Sequence, residues 1–297
     1  MKTRFILNPI SGRGRRTARL RPALLEFIAR EHLDARLEVT AGPGHATELA
    51  QAAVADGCER VVAVGGDGTM NEVAQALVRT AAALAIVPAG SGNGLALHLG
   101  LPTRPEKAFA LLADADARVV AIDTGTANGH AFFNVMGLGF DAEVSLRVNR
   151  LTHRGLAAYV RTGLAASARH QAERVTVSDG NGIRQTLDTF LVSVGNSDQY
   201  GNAARFAPGA RVDDGLLDLV AVRPTGWLGA GPLAARLFLG SFDRSPQVCR
   251  LRSAHFVIQR PSPGLIHTDG ETHDTAATVE IAIRPRSLRL VVPRAHG

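Results

Sequence analysis

The stretch RVVAVGGDGTMNEV, residues 60–73, constrains this chain more than any other. A run of β-branched and small apolar residues, Val61 to Val64, stops at Gly65-Gly66-Asp67-Gly68, and a helical pattern starts directly after. A buried strand that ends on glycines and turns at once into a helix suits anion binding. Glycine lets backbone N–H groups approach closely and adopt left-handed φ values. The helix N-terminus adds donors and positive potential, and together they make a phosphate cradle. Asp67 is the odd member, because a carboxylate repels phosphate. It fits if it holds a metal or a water, or caps the helix; a structural strand-to-helix turn with Asp as N-cap is the plainer alternative.

The same logic recurs twice. VPAGSGNGLALHLGLP, residues 87–102, places Gly90, Gly92 and Gly94 around Ser91 and Asn93 after another strand. NPISGRGRR, residues 8–16, adds a third glycine loop with arginines available for phosphate. It is not a Walker A loop, since no Gly-Lys-Ser/Thr follows, and the first strand is not followed by a Gly-x-Gly-x-x-Gly fingerprint. The second absence argues against a dehydrogenase.

Apolar periodicity sets these loops in a frame. Strands are predicted at Arg4 to Leu7, Arg36 to Thr40, Val61 to Val64 and Leu84 to Val87. They alternate with helices at Thr17 to Arg30, Ala46 to Ala55, Met70 to Val78, Ser91 to Leu97 and Pro105 to Ala113. Alternation of this kind predicts an α/β nucleotide-binding domain with a mainly parallel sheet and flanking helices. Ligands in such sheets sit at the carboxyl ends of strands, where all the glycine loops fall. Past about residue 118 the texture changes. Strands are predicted at Val119 to Ile122, His130 to Met136, Arg174 to Ser178, Thr186 to Val194, Leu217 to Val222, His255 to Gln259, Thr278 to Ile283 and Leu288 to Val292. One later helix, Leu156 to Ala168, stands out. An antiparallel β-sandwich domain follows from this. The division is read as 1–122 for the nucleotide and 123–297 for the β-rich domain.

The β-rich part has two acidic clusters, RVDDGLLDL at 211–219 and HTDGETHD at 267–274. Carboxylates with glycine in a turn suit hard cations such as magnesium, and a carboxylate beside a substrate hydroxyl can act as a base. Either cluster alone is also an ordinary Asp-Gly hairpin turn. A zinc site from His267 and His273 is the other option, its third ligand not named by the sequence. Cys58 and Cys249 are far apart without metal-ligand spacing and read as free thiols of a cytoplasmic chain.

In order, Asn8-Pro9 with Ser11-Gly12, GGDGTMNEV, PAGSGNGLA, IDTGTANGHAFFNVMGLGFDAEV (122–144) and a late DGE resemble the diacylglycerol kinase catalytic-domain family. That family includes soluble bacterial lipid kinases, sphingosine kinases and ceramide kinases. The resemblance implies an ATP- and Mg2+-dependent transfer of phosphate to a lipid alcohol, with nucleotide and lipid meeting in a cleft between two domains. It implies that Asn8, Arg13 (or Arg15), Thr40, Gly65, Gly66, Asp67, Gly68, Thr69, Met70 and Asn71 line the nucleotide, with Gly90, Ser91 and Asn93. It implies Asp269 as the base and Glu271 as its support. Asp214, with the backbone carbonyls of Arg211 and Leu216, would hold magnesium, and Asp67 and Asp123 would join an acidic network. One departure stands out. Many bacterial members carry Gly-Thr-x-Asn-Asp in the second loop, where this chain has Gly90-Ser91-Gly92-Asn93-Gly94. That form is more similar to the sphingosine-kinase branch.

Two other readings exist, an NAD-kinase-like enzyme and a non-catalytic nucleotide or lipid sensor. The first lacks the Asn-Asn-Glu stretch expected of it, and Gly94 is the only support for the second. The formal charge of +6, nearly all from arginine, suggests an anionic partner. With 5% aromatic residues and no recognisable binding module, that partner is not nucleic acid. Transient contact with a membrane surface is expected, the candidate patch being Arg147, Arg150 and Arg154 with the leucines between them. Trp227 to Leu239 is the most apolar late segment and could at most lie at a membrane surface. A homodimer stays open.

Overall fold

The structure is a computed structural model and describes residues 1–12, 15–149, 172–225 and 227–294. Two units divide the chain: Met1–Ile122 with Arg286–Gly297, and Asp123–Pro285.

In the first unit β1 (Thr3–Leu7), β2 (Ala35–Val39), β3 (Arg60–Gly65) and β4 (Ala83–Pro88) pair in parallel, in the order β2-β1-β3-β4. Helices α1 (Arg15–Arg30), α2 (His45–Ala55) and α3 (Asp67–Leu77) alternate with them, and α4 (Gly94–His98) and α5 (Pro105–Ala113) follow. β1, β3 and β4 are buried at every position, and past Thr3, Arg4 and Arg60 at their starts they read as apolar runs. Leu20, Leu24 and Phe27 of α1 and Phe109 and Leu112 of α5 pack on Phe5, Leu7, Val62 and Val87 of the sheet. The register matters for function. Leu7 stands opposite both Val39 and Val64, and Val64 opposite Val87. The four strand ends are therefore level, and the order reverses between β1 and β3, the position where open α/β sheets take their ligands.

The second unit is entered along β5 (Arg118–Ala127). Then come β6 (His130–Phe132), β7 (Val135–Gly139), α6 (Phe140–Asn149), β8 (Glu173–Asp179), β9 (Arg184–Thr189), β10 (Leu191–Gly195) and β11 (Leu217–Val222). They are followed by α7 (Trp227–Leu239), β12 (Val248–Ser253), β13 (His255–Gln259), β14 (Gly264–Thr268), β15 (Glu271–Thr275) and β16 (Thr278–Val292). One sheet is antiparallel in the order β12-β11-β10-β7-β14-β15; the other runs β16-β13-β8-β9, with β5 pairing β16 and β6. Met136, Leu138, Val192, Val194, Leu217 and Ile266 of the first meet Val175, Val177, Phe256, Ile258, Val279 and Ile281 of the second in one core. This is a β-sandwich.

The structure adds α6, α7, β12, β14 and β15 to the elements expected from sequence and departs from those expectations at further places. His130 to Met136 is two strands, broken at Phe133-Asn134, whose N–H groups serve a side chain described below. Thr186 to Val194 is also two: β9 pairs β8, while β10 pairs β11 and β7 in the other sheet, so the chain crosses the sandwich at Phe190. Thr278 to Ile283 and Leu288 to Val292 are one strand, β16, continuous through Pro285. Its last part pairs in parallel with β4, Leu290 opposite Leu84, and Val291 joins the first unit's core. The stretch from Arg286 on thus belongs with the first unit. α4 starts at Gly94 and not at Ser91. The helix expected at 156–168 lies outside the described residues, as do Arg13, Arg150 and Arg154.

Candidate active site

In the first unit the three glycine loops converge at the level ends of β1, β3 and β4. Asn8 closes β1, donating its backbone N–H to the Val64 carbonyl (3.0 Å) and its Nδ2 to Thr69 Oγ1 (3.0 Å). Ser11 Oγ accepts from the Gly66 N–H at 3.3 Å and lies 3.4 Å from Thr69 Oγ1. Thr40, buried after β2, donates its N–H to the Leu7 carbonyl (2.9 Å). The loops touch through backbone. A Cβ on Gly90 would stand 2.5 Å from Gly66 Cα, and one on Gly65 2.5 Å from Thr69 Oγ1. Glycine is required there by packing alone.

Gly68 is different. It is exposed in the first turn of α3, and a Cβ on it would meet nothing within 4 Å. α3 begins after Gly66 with no side-chain cap. An uncapped helix N-terminus under an open glycine fits a phosphate, which a side chain there would fend off. Asn71 is buried with its Oδ1 lacking a partner. Met70 is core and donates its N–H to the Gly66 carbonyl (3.0 Å), so it holds the turn and does not face a ligand. Gly90, Ser91 and Asn93 lie on the loop after β4, Ser91 exposed.

Asp67 resolves its own puzzle. It does not cap α3; its Oδ2 accepts the Asn93 N–H and its Oδ1 the Gly94 N–H, both at 2.8 Å. It is the cap of α4, reached across from the neighbouring loop. A carboxylate in a phosphate cradle is tolerable because two amides of the second loop face it. Burial pushes its carboxyl up, and those two N–H bonds oppose the shift.

In the second unit Asp269 and Gly270 form the two-residue turn between β14 and β15, both with positive φ (50° and 89°), as a type I′ hairpin needs. The Asp269 side chain is enclosed by backbone. Oδ2 accepts from Phe133 N–H (2.7 Å), and Oδ1 from Asn134 (3.0 Å) and Val135 (2.8 Å). Three donors at one carboxylate explain why the chain is not a strand at 133–134. Burial pushes the Asp269 carboxyl up to about 6 even so, against those N–H bonds and nearby His267. Glu271 is exposed at the start of β15.

One hydrogen-bonded network joins this turn to the other acidic residues singled out in this unit. Asn196 Nδ2 donates to the carbonyls of Asp123 (2.8 Å) and Phe133 (3.0 Å). Asp123 Oδ2 accepts from Gly215 N–H (2.8 Å), and its own N–H goes to the Val212 carbonyl (2.6 Å). Asp123, the 211–216 loop and Asp269 are thereby fixed to one another. In that loop Arg211 pairs with Asp213 (3.0 Å), while Asp214 accepts from Leu216 N–H (3.1 Å) and from Arg252. Buried Asp218 pairs with Arg250 (2.7 Å) and Arg252 (3.2 Å), and Arg250 also with Asp243 (2.9 Å). Three carboxylates, Asp214, Asp218 and Asp243, face two guanidinium groups. Asp214 is a hard oxygen donor of the kind magnesium takes, and Arg252 is its competitor there.

Residue patterns gave no warning of the support beneath the turn. Buried His267 accepts the Gly270 N–H at Nδ1 (3.3 Å) and presents Nε2 3.2 Å from Asp141 Oδ2, which Ser193 Oγ also reaches (2.6 Å). Gly137 lies beneath, where a Cβ would stand 2.4 Å from Asp141 Oδ2. Gly137 and Gly139 lie in β7 and Asp141 in the first turn of α6, and their partner His267 is distant in sequence. His273 stacks on His130, ring centroids 3.8 Å apart, and bonds Thr268. Among the described residues no three His, Cys, Asp or Glu side chains gather to hold a metal, so the zinc alternative falls.

Comparison with known proteins gives the family and the fold. Residues 2–127 match the diacylglycerol kinase catalytic domain, and residues 134–292 the YegS C-terminal NAD kinase beta sandwich-like domain. The probable lipid kinase YegS-like of Pseudomonas putida is 37% identical over 266 residues, 88% of this chain and 85% of the relative. A diacylglycerol kinase of Mycobacterium tuberculosis is 30% identical over 304 residues, covering 100% of this chain and 96% of its own. The crystal structure of a diacylglycerol kinase from Bacillus anthracis shares the fold, with TM-score 0.74 at 21% identity over 98% of this chain and 96% of that one. Yeast NADH kinase shares it more loosely, with TM-score 0.54 at 12% identity over 99% and 84%.

Proposed function

Because this chain belongs to the diacylglycerol kinase catalytic-domain family, whose members are phosphotransferases acting on alcohols, we propose that it passes the terminal phosphate of ATP to the hydroxyl of a lipid. Diacylglycerol or a sphingosine- or ceramide-type alcohol is the acceptor class, met at the cytoplasmic surface of a membrane. The observation that carries this reading is the convergence of three glycine loops under an open Gly68 at the uncapped start of α3.

ATP would supply the phosphoryl group, and Asp214 with the carbonyls of Arg211 and Leu216 would hold a magnesium ion, whose charge would offset that of the phosphates. The chain's own residues do the rest. The first amides of α3, at Gly68 and Thr69, and the loop at Gly90 and Ser91 hold the phosphates, with Asn8 and Thr40 beside them; the family resemblance adds the charge of Arg13. Asp67 keeps the two loops in register and need not touch phosphate. Asp269 takes the proton of the lipid hydroxyl at Oδ2, the oxygen that accepts one backbone donor against two at Oδ1. A carboxylate held at about 6 is ionised at neutral pH yet basic enough to share a proton with an alcohol in the transition state. Asp123 fixes the loop of Asp214, and Glu271 adds negative charge next to the turn.

Radiolabelled ATP offered to diacylglycerol, sphingosine, ceramide, monoacylglycerol and NAD in mixed micelles with magnesium is the test. Label on one lipid, lost on chelation and reduced in Asp214→Ala at limiting magnesium, is the expected result. Label on NAD instead would favour the reading that the NADH kinase likeness suggests, though at its identity that likeness speaks for the fold alone. No label on any acceptor would overturn the proposal.

A further inference from the structure

α7 breaks the ordinary rule for a surface helix. Its inner face, Leu233 and Leu237, packs on Phe206, Val222 and Phe242. Its outer face should then be polar. It is instead Gly231, Pro232, Ala234, Ala235, Phe238 and Leu239, all exposed, and Arg236 is the only charged residue in the helix. Phe238 is 46% exposed and Leu239 76%, adjacent large apolar side chains at the helix's end. A helix that is apolar all round and still open to solvent is a contact surface.

The rim of this surface identifies what it contacts. Arg205 lies against the end of α7, its N–H bonded to the Leu237 carbonyl (2.8 Å) and its side chain 54% exposed. Arg236 is bonded to the Ser241 carbonyl, and Arg244 is exposed just beyond. Among the described residues neither Arg236 nor Arg244 makes an ion pair; Arg205 meets Asp198 only at 3.6 Å. An apolar strip edged with arginine matches an anionic bilayer, whose surface attracts the guanidinium groups while the interface takes Phe238 and Leu239. A second copy fits worse, because an isologous contact would set this arginine rim against itself. The helix has 13 residues, about 20 Å at 1.5 Å per residue, against about 30 Å of hydrocarbon. It can lie in the interface and not span it.

We propose that α7 is the membrane-docking element of this chain, seating Phe238 and Leu239 in an anionic bilayer with Arg205, Arg236 and Arg244 at the headgroups. The choice of a bilayer leans on the proposed lipid substrate; the surface itself does not. It is a different stretch of sequence from 147–154, most of which lies outside the described residues.

The test is flotation of the purified full chain with phosphatidylcholine vesicles and with mixed phosphatidylcholine–phosphatidylglycerol vesicles. Wild-type protein is expected to float with the mixed vesicles and to bind less as salt rises. Phe238→Ser with Leu239→Ser should weaken binding about tenfold, and Arg244→Gln about fivefold. Melting temperatures of these surface variants, and their activity on a short-chain lipid dissolved as monomer, should match wild type. Unchanged vesicle binding in the Phe238/Leu239 variant would overturn the proposal. So would loss of self-association in its place, which would make the face an interface between copies. Variant-sensitive docking by a chain that phosphorylates no lipid would support α7 and sink the kinase reading instead.

Discussion

Asp67 and Asp269 are the same device used twice, and their difference is the chemistry. Each is a carboxylate taken out of water and held by backbone N–H groups, and in each burial wins over those bonds and raises the carboxyl. Asp67 spends both oxygens on one loop, which is a structural role. Asp269 keeps accepting capacity at Oδ2 and titrates near 6. In the proposed reaction the active form is the ionised one, present above its raised value and lost as pH falls through it. The rate is therefore expected to drop through about pH 6 and then tenfold per unit below, read from kcat/KM across pH. Asp269→Asn should cut kcat by about 10²–10⁴ and remove that acid limb; an unchanged profile would take the proton-accepting role from Asp269.

At the scale of elements, what matters is which glycines the loops need for themselves. Gly90 and Gly66 touch, so Gly90→Ala must force the second and first loops apart. We expect it to cost about 1–3 kcal/mol of stability, as overpacking does, and to weaken ATP binding with it. Gly68→Ala meets no atom and replaces glycine within α3, so stability should rise by about 0.5–1 kcal/mol. Its ATP binding should nonetheless fall, measured by calorimetry beside thermal melting. Loss of binding without loss of stability marks the place where phosphate sits. Equal ATP affinity would move the cradle elsewhere.

For the whole molecule the return of the chain is decisive. β16 leaves the sandwich and finishes as a parallel partner of β4, burying Leu288, Leu290 and Val291. A chain cut after Pro285 would lose that strand from the nucleotide-binding unit. Three buried aliphatic side chains at about 1.5–3 kcal/mol each approach the whole stability of a typical domain. The truncated protein should accordingly fail to show a cooperative melt for the first unit, followed by hydrogen exchange at Val62 and Val64. Retained protection there would show that the strand is dispensable.

Much of this was legible in the chain itself. Unbroken apolar runs at 61–64 and 84–87, each followed by glycines and a helical pattern, determine a parallel sheet with its loops at the carboxyl ends, because the period and the breakers are local. Asp-Gly at 269–270 determines a tight hairpin for the same reason. Tertiary structure alone decided the rest. Asp67 caps a helix that begins 27 residues later, the 133–135 amides point at a side chain 134–136 residues away, and His267 lies against Asp141. The final strand crosses from one unit to the other. None of these has a period or a motif, because hydrogen-bond donors are present at every residue and only the fold chooses which of them a buried carboxylate will meet.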